Sequence, residues 1–583
     1  MKATPATLRI SRCHPALFVC LFLPALVLIQ PSAMFGAVQH TGPKTDIQRP
    51  KSGESAGLCT LDFGPWTLFQ KSNSEASLNP VRDAATLLAA GRLDEAEAAA
   101  RRAVAAQPRN TAARSVLGAV LDQRGMAKEA ETEYREALRL DANSTVALTN
   151  LGVLLVRTGR AAEAVTTFER VLQLAPGHAQ ATFNLGALYA ARKDYARAVP
   201  LLERAAGVGR TGKVGKPTND IPLTLTLANA YAHVNRAEDA TRLFDQVERG
   251  AGDDPRVLFT LGLSVADAGD YQRAAKLFSR TDALRPNTYE VLYNLGIALY
   301  NLDRLDEARA ALQNAATLSP DQPEVFYRLG LVASARGESE NALGLLQRAV
   351  KLRPTYHEAH FMMAEELMKN GRVDRAIPFY ESAVQEAPGE AIYQIRLGVA
   401  HFRNRAYGKA DETFRAALTR FPDSPVIYYL LGYTARAEGL YDEAVKAFAR
   451  SLELQPDNAA ALANLGFIAG ERGQNAEAEN FLRRAISIEA DNYPAHYDLG
   501  RLLVRLRRYD EALPILERAV KLTENDPGVH YQLFIAYSRV KRKEDADREL
   551  GRFKTLEEAR KQREGGMTQK DELPPPKVNA AAP

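Results

Sequence analysis

The chain has 583 residues, 46% of them apolar and 25% charged, a length at which about four globular domains would be usual. Lysine and arginine number 75 against 71 aspartate and glutamate, and the resulting charge of +4 gives no support to wholesale nucleic-acid binding. The three cysteines, Cys13, Cys20 and Cys59, are too few for a disulfide framework or a cysteine zinc site, so packing must hold the fold together.

Residues 1–37 have the layout of a secretory signal. Lys2, Arg9 and Arg12 precede an apolar run from Ala16 to Ile29, and small residues follow at Ser32, Ala33, Gly36 and Ala37. The run is short for a membrane span, and cleavage is expected between Ala33 and Ala37. No site there has a clean small-x-small pattern, which leaves an uncleaved N-terminal anchor as the alternative; through it alone would the chain touch a membrane. The expected location is exported, in the periplasm or cell envelope. Residues 38–76 read as a linker rich in Ser, Gly, Pro and Lys, but they carry Leu58, Leu61, Phe63, Trp66, Leu68 and Phe69. Such an apolar cluster is expected to cap the element that follows, with partner binding as the alternative.

From there one period organises the chain. Alanine recurs at Ala96, Ala130, Ala164 and Ala198, then from Ala240 to Ala546, always 34 residues apart except for one interval of 42. Twelve residues before most of these stands a glycine, such as Gly152 or Gly432, and twelve after there is often a proline, such as Pro176 or Pro456. Fourteen such units span residues 77–560, with the extra residues inserted at 207–220. Within Pro425 to Asn458, for example, Ile427, Leu430, Leu431, Thr434 and Ala435 recur at helical spacing. Gly439 should end that helix, Asp442 and Glu443 should begin a second, and Ala444, Phe448 and Leu452 should form its inner face. Gly432 and Ala444 mark where the two helices approach closely, which is a packing role and not a ligand role.

The Leu-Gly, Tyr/Leu, Ala, Phe/Tyr/Leu, Ala and Pro pattern resembles the tetratricopeptide-repeat family. The resemblance implies an all-α fold, a right-handed superhelical α-solenoid of tandem helix-turn-helix repeats, with a continuous concave surface. Residues 561–583, ending in Pro574-Pro575-Pro576 and Ala580-Ala581-Ala582-Pro583, read as a disordered polar and Pro-rich tail. Lys570-Asp571-Glu572-Leu573 is not an endoplasmic-reticulum retention signal, since residues follow it.

Little here points to chemistry. The insertion reads Gly207-Val208-Gly209-Arg210-Thr211-Gly212-Lys213-Val214, where a phosphate-binding loop would need Ser or Thr in place of Val214 and a strand before it. It is expected to be a basic loop, with anion or partner contact through Arg210, Lys213 and Lys216 as the alternative. His357 and His360 share a predicted helix, but no third ligand accompanies them. No nucleophile elbow occurs. The chain is therefore expected not to be an enzyme, and no catalytic residue, metal or cofactor is assigned.

The informative residues are those that the resemblance places on the concave face. The fifth position of the unit is aromatic at Phe183, Phe259, Tyr293, Tyr327, Phe361, Tyr429, Tyr497 and Tyr531. The sixth is asparagine at Asn150, Asn184, Asn294 and Asn464, and a row of amides can pair with the backbone of an extended peptide whatever its side chains. Similar asparagine ladders line the repeats of O-GlcNAc transferases, whose catalytic domain is absent from this sequence. Arg501, Arg505 and Arg508 add charge at helical spacing, followed by Arg539, Lys541, Arg542 and Lys543, and arginine grips carboxylates with paired hydrogen bonds. The Lys and Asn clamp of chaperone-binding family members is not matched.

The expected function is a scaffold that binds a protein or extended peptide segment in the groove. Three alternatives stand beside it: a non-catalytic subunit of an envelope secretion, pilus or polysaccharide-export machine, the substrate-recruiting partner of a separate glycosyltransferase, and a plain spacer.

Overall fold

The computed structural model describes residues 80–208 and 220–567. Among them are twenty-eight helices and no strand, running from Pro80–Ala89 to Lys543–Met567 as antiparallel helical hairpins in chain order. The all-α tandem-hairpin fold expected from the 34-residue period is therefore the observed one. Contacts divide the chain into two compact units, one ending at Val332 and the other resuming at Ala333. The leader, the Trp66 segment, loop residues 209–219 and the tail from residue 568 lie outside the described residues. The last helix continues past Arg560 to Met567.

The hairpin Pro425–Leu454 shows how the sequence builds each repeat. Pro425 occupies the first turn, where a missing N–H costs nothing and a fixed φ helps. Ile427, Tyr429, Leu431, Thr434 and Ala435 are buried along the first helix. Its end is a Schellman turn: Gly439 N–H donates to Arg436 O at 3.0 Å and Leu440 N–H to Ala435 O at 2.8 Å, with Gly439 at φ 78°. The second helix, Tyr441–Leu454, carries Asp442 and Glu443 in its first turn and buries Ala444, Phe448 and Ser451. Ser451 Oγ then donates to Pro425 O at 2.8 Å, which ties the second helix to the start of the first.

Every hairpin has a left-handed residue at the place of Gly439. In six of them it is not glycine: Lys193, Asn235, Asp303, Arg405, Arg507 and Lys541 have φ between 57° and 62°. The close approach expected at Gly432 is also present. A Cβ there would lie 2.8 Å from the Phe448 ring, and one at Gly398 would lie 2.3 Å from Phe414. The glycine is a socket for the aromatic residue of its own second helix, so the two helices interlock.

Successive hairpins are joined by a device that the 34-residue pattern does not advertise. A donor near the start of several first helices reaches back six residues to a carbonyl of the preceding turn. Arg114 donates to Pro108 O at 2.9 Å, His360 Nε2 to Pro354 O at 2.8 Å, Gln394 to Pro388 O at 3.2 Å, His496 Nε2 to Ala490 O at 2.9 Å and His530 Nε2 to Glu524 O at 2.9 Å. A second seam runs between second helices. Arg508 bridges Glu511 in its own helix and Glu479 in the previous hairpin, both at 2.7 Å, and Arg160 likewise bridges Glu163 and Glu131. Such exposed pairs contribute about 0–1 kcal/mol each, so they fix register more than they stabilise.

Candidate functional site

First helices of successive hairpins touch one another, so their outward positions form a shared face within each unit. In the unit that begins at Ala333, four of these helices, Ala391–Arg403, Pro425–Ala437, Ala459–Glu471 and Tyr493–Arg505, carry a continuous row of rings and guanidinium groups. Phe402 lies 5.2 Å from Tyr433, ring centre to ring centre. Arg436 follows, its guanidinium carbon 5.3 Å from the Tyr433 ring and 4.8 Å from Phe467. Arg501 covers Phe467 from beyond, at 5.3 Å. All five side chains are half-buried.

The repeat itself generates this row. Tyr433, Phe467 and Arg501 are 34 residues apart, as are Phe402 and Arg436, so two register positions of the first helix supply it. Tyr433 and Arg436 are three apart on one helix and therefore neighbours on its surface. The next residue in the second register is Gly470. With no side chain there, Arg505 Nη2 reaches the Gly470 carbonyl at 2.8 Å, and it also donates to Asn475 Oδ1 at 3.1 Å.

The charges along the row are not equivalent. Arg501 is paired with Glu471 at 3.0 Å and Asp498 at 3.3 Å. Burial raises the Asp498 carboxyl to about 6, against the pull of Arg501 and Arg436 and with a push from Glu471. Arg505 is occupied by its two acceptors. Arg436 has no ion-pair partner among the described residues and is held by rings, an arrangement that contributes about 0.5–2 kcal/mol. On the first helices His357–Lys369 and Ala391–Arg403 a smaller polar group is anchored from beneath: the buried Tyr380 hydroxyl donates to Glu365 at 2.5 Å, Arg396 lies 3.4 Å from the same carboxylate, and burial pulls the Arg403 guanidinium below its ordinary value.

Seven of the residues singled out from the sequence occupy a deeper layer. Phe183, Tyr293, Tyr327 and Tyr429 are buried, and so are Asn184, Asn294 and Asn464. The Asn294 and Asn464 amides donate to Glu290 O and Ala460 O of their own helices, each at 2.8 Å. Arg328 Nε approaches the Tyr293 hydroxyl at 3.4 Å, one repeat along. Asn150 is half-buried beside a void of about 10 Å³ lined also by Tyr134 and Asp122, the volume of a single water.

Four of the expected aromatics reach nearer the surface. Phe259 lies against Phe278 at 5.8 Å, Phe361 stacks on Tyr393 at 4.7 Å, and Tyr497 stacks on Tyr493 at 6.0 Å. Tyr531 is exposed, beside Phe553 at 5.2 Å. Of the expected residues, only Arg501 stands in the ring and guanidinium row. Arg508 lies past the left-handed turn at Arg507 and pairs on the second-helix side, so the arginine run is divided between two faces.

His360 is engaged by the Pro354 carbonyl, and His357 Nδ1 lies 3.0 Å from the Tyr393 hydroxyl. Among the described residues no three potential metal ligands gather, and no helix is long and apolar enough to cross a membrane.

Four family models, each described as tetratricopeptide repeat, match the chain at residues 84–145, 225–289 and 361–425; at 144–208 and 423–489; at 265–330 and 471–533; and at 324–356. No curated protein matches it in sequence. Among solved structures it is similar to the APC/C hetero-tetramer Cut9–Hcn1, with 14% identity over 78% of this chain and 95% of that one and a TM-score of 0.33. For yeast Tom70 the figures are 16% identity, 74% and 96% coverage, and a TM-score of 0.33. For the C-terminal part of a repeat-containing protein from Cytophaga hutchinsonii they are 16%, 41% and 99%, and 0.38.

Proposed function

We propose, from the premise that the chain belongs to the tetratricopeptide-repeat family, that it is a protein-interaction scaffold whose first-helix face binds extended segments of other proteins. The observation that carries this reading is the half-exposed row from Phe402 to Arg501, spread over four successive hairpins. Rings presented side by side offer apolar area at little entropic cost, and a segment lying across several hairpins collects many modest contacts. We assign the chain no catalytic role. The signal-like leader supports a place in the cell envelope, where such a scaffold would organise an assembly.

The test is crosslinking of the tagged protein in its native cells, comparing wild type with a Phe402, Tyr433, Arg436 and Phe467 to Ala variant and with an Asn150, Asn184, Asn294 and Asn464 to Ala variant. Loss of captured envelope proteins in the first variant, with its helix content unchanged, is the expected result. Capture that survives both variants would move the binding surface off the first-helix face. N-terminal sequencing of the mature protein from fractionated cells tests export separately, with a start between residues 34 and 38 expected.

A further inference from the structure

We infer that Arg436 is the subsite for an acidic side chain in the interior of the bound segment, with apolar neighbours of that residue resting on Phe402 and Phe467. The inference deepens the reading above and rests on the first-helix face being the one that binds.

Three observations carry it. The Arg436 guanidinium carbon lies 5.3 Å from the Tyr433 ring and 4.8 Å from the Phe467 ring, and the Tyr433 hydroxyl can take only one of the five N–H donors that a guanidinium carries. The arginines that follow it along the row have acceptors, Glu471 and Asp498 for Arg501 and Gly470 and Asn475 for Arg505, while at the Phe402 end Arg396 pairs with Glu365 and burial disfavours the charge on Arg403. Asp498 is within electrostatic reach of Arg436 but is paired to Arg501, so Arg436 keeps an unmatched positive charge at a half-buried place. A carboxylate is the partner whose geometry matches a planar fork. An interior residue fits better than a chain end because the row runs on past Arg436 in both directions, to Tyr433 and Phe402 on one side and to Phe467 and Arg501 on the other. A segment ending at Arg436 would leave half of those rings uncovered.

The experiment selects a phage-displayed library of random twelve-residue segments on the full-length protein, then remakes the binders as peptides blocked at both ends. Each is measured by fluorescence anisotropy against wild type, Arg436→Gln, Arg436→Lys and Phe467→Ala, with circular dichroism confirming that each variant keeps its helix content. The expected binders share an Asp or Glu flanked by apolar residues. Changing that acid to its amide should weaken binding about tenfold or more. Arg436→Gln should weaken the acidic peptide equally and the amide peptide hardly at all, while Arg436→Lys, which keeps charge but not the planar fork, should restore only part of the loss. Binders that depend on Phe467 but are indifferent to the acid and to Arg436 would overturn the inference and leave the scaffold reading standing. Binders insensitive to every face variant, or affinity that requires a free C-terminal carboxylate, would overturn it too, and the former would take the scaffold face with it.

Discussion

Replacing Arg507 by glycine should make the protein more stable although it adds no contact. Arg507 has φ 60°, is exposed, and its side chain forms no hydrogen bond or ion pair among the described residues. Its conformation is imposed by the turn, in which its own N–H donates to Val504 O at 3.0 Å and the Arg508 N–H to Leu503 O at 2.9 Å. A Cβ in the left-handed region costs about 1–2 kcal/mol. Glycine returns about 0.5–1 kcal/mol of that through its greater freedom in the unfolded chain. The net gain is about 0.5–1 kcal/mol for Arg507→Gly, and the same reasoning applies to Lys193, Arg405 and Lys541. These sites share no partner, so a quadruple variant should gain about 2–4 kcal/mol. Asn235 and Asp303 should gain less, because their short polar side chains tolerate this conformation. The reverse change, Gly439→Arg, should cost as much as the forward one gains. Guanidinium denaturation followed by far-ultraviolet circular dichroism gives the midpoint, and amide exchange over residues 493–522 locates the effect in its hairpin, as expected where each repeat answers mainly to its neighbours. A lower midpoint for Arg507→Gly, or an equal gain at Asn235, would refute the reasoning.

Two glycine-to-alanine changes should act with opposite signs. Gly398→Ala drives a methyl to within 2.3 Å of the buried Phe414 ring, so overpacking of about 1–3 kcal/mol outweighs the roughly 1 kcal/mol of added helix propensity, and the melting temperature should fall. Gly344, exposed in the helix Ser339–Leu352 with nothing near its absent Cβ, should gain that propensity uncompensated and melt higher as alanine; equal shifts at the two sites would contradict the socket geometry. Asp498 should make stability depend on pH. Its carboxyl is raised to about 6 from an unfolded value near 3.8, so the folded state holds the proton more tightly, and stability is lost as pH rises from about 4 to 6. Asp498→Asn should therefore be more stable than wild type by about 1–3 kcal/mol above pH 6 and no different below pH 4. The groups facing it are Arg501 on its own helix and Arg436 and Glu471 on the two preceding first helices, and a gap between variant and wild type that stays flat with pH would assign the effect to packing.

The framework was legible because it is written fourteen times. Ala444, Gly432 and Gly439 each solve a local geometric problem, and the same solution recurs every 34 residues, so one unit read correctly gives them all. The face was harder to read for the opposite reason. The fifth and sixth positions, where aromatics and asparagines recur, are buried in some repeats and not in others: Tyr429 is only 1% exposed and Tyr531 is 42% exposed. Recurrence at those positions therefore does not by itself separate a packing residue such as Tyr429 from a surface one such as Tyr531. The row at Phe402, Tyr433, Arg436, Phe467 and Arg501 had a sequence signal, the same 34-residue spacing, but it mixes two residue classes over two registers and does not look like a motif until the helices are set side by side. Arg508 escaped for a related reason: helical spacing carries no information across a left-handed turn.

That division also locates where specificity can reside. The register of Tyr433, Phe467 and Arg501 is filled earlier in the chain by Leu263, Ile297 and Leu331, and of these Ile297 and Leu331 are buried. The same helix position is thus packing in one stretch and surface in another. What differs is its surroundings, since the sockets and turns that set each hairpin are common to both stretches. A residue in this register can then change from aliphatic to aromatic to cationic without disturbing Gly432, Phe448 or the Schellman turn. Binding chemistry in such a chain belongs to the few hairpins where the face departs from the average, and one such departure is the Arg436 guanidinium, packed against two rings without a carboxylate.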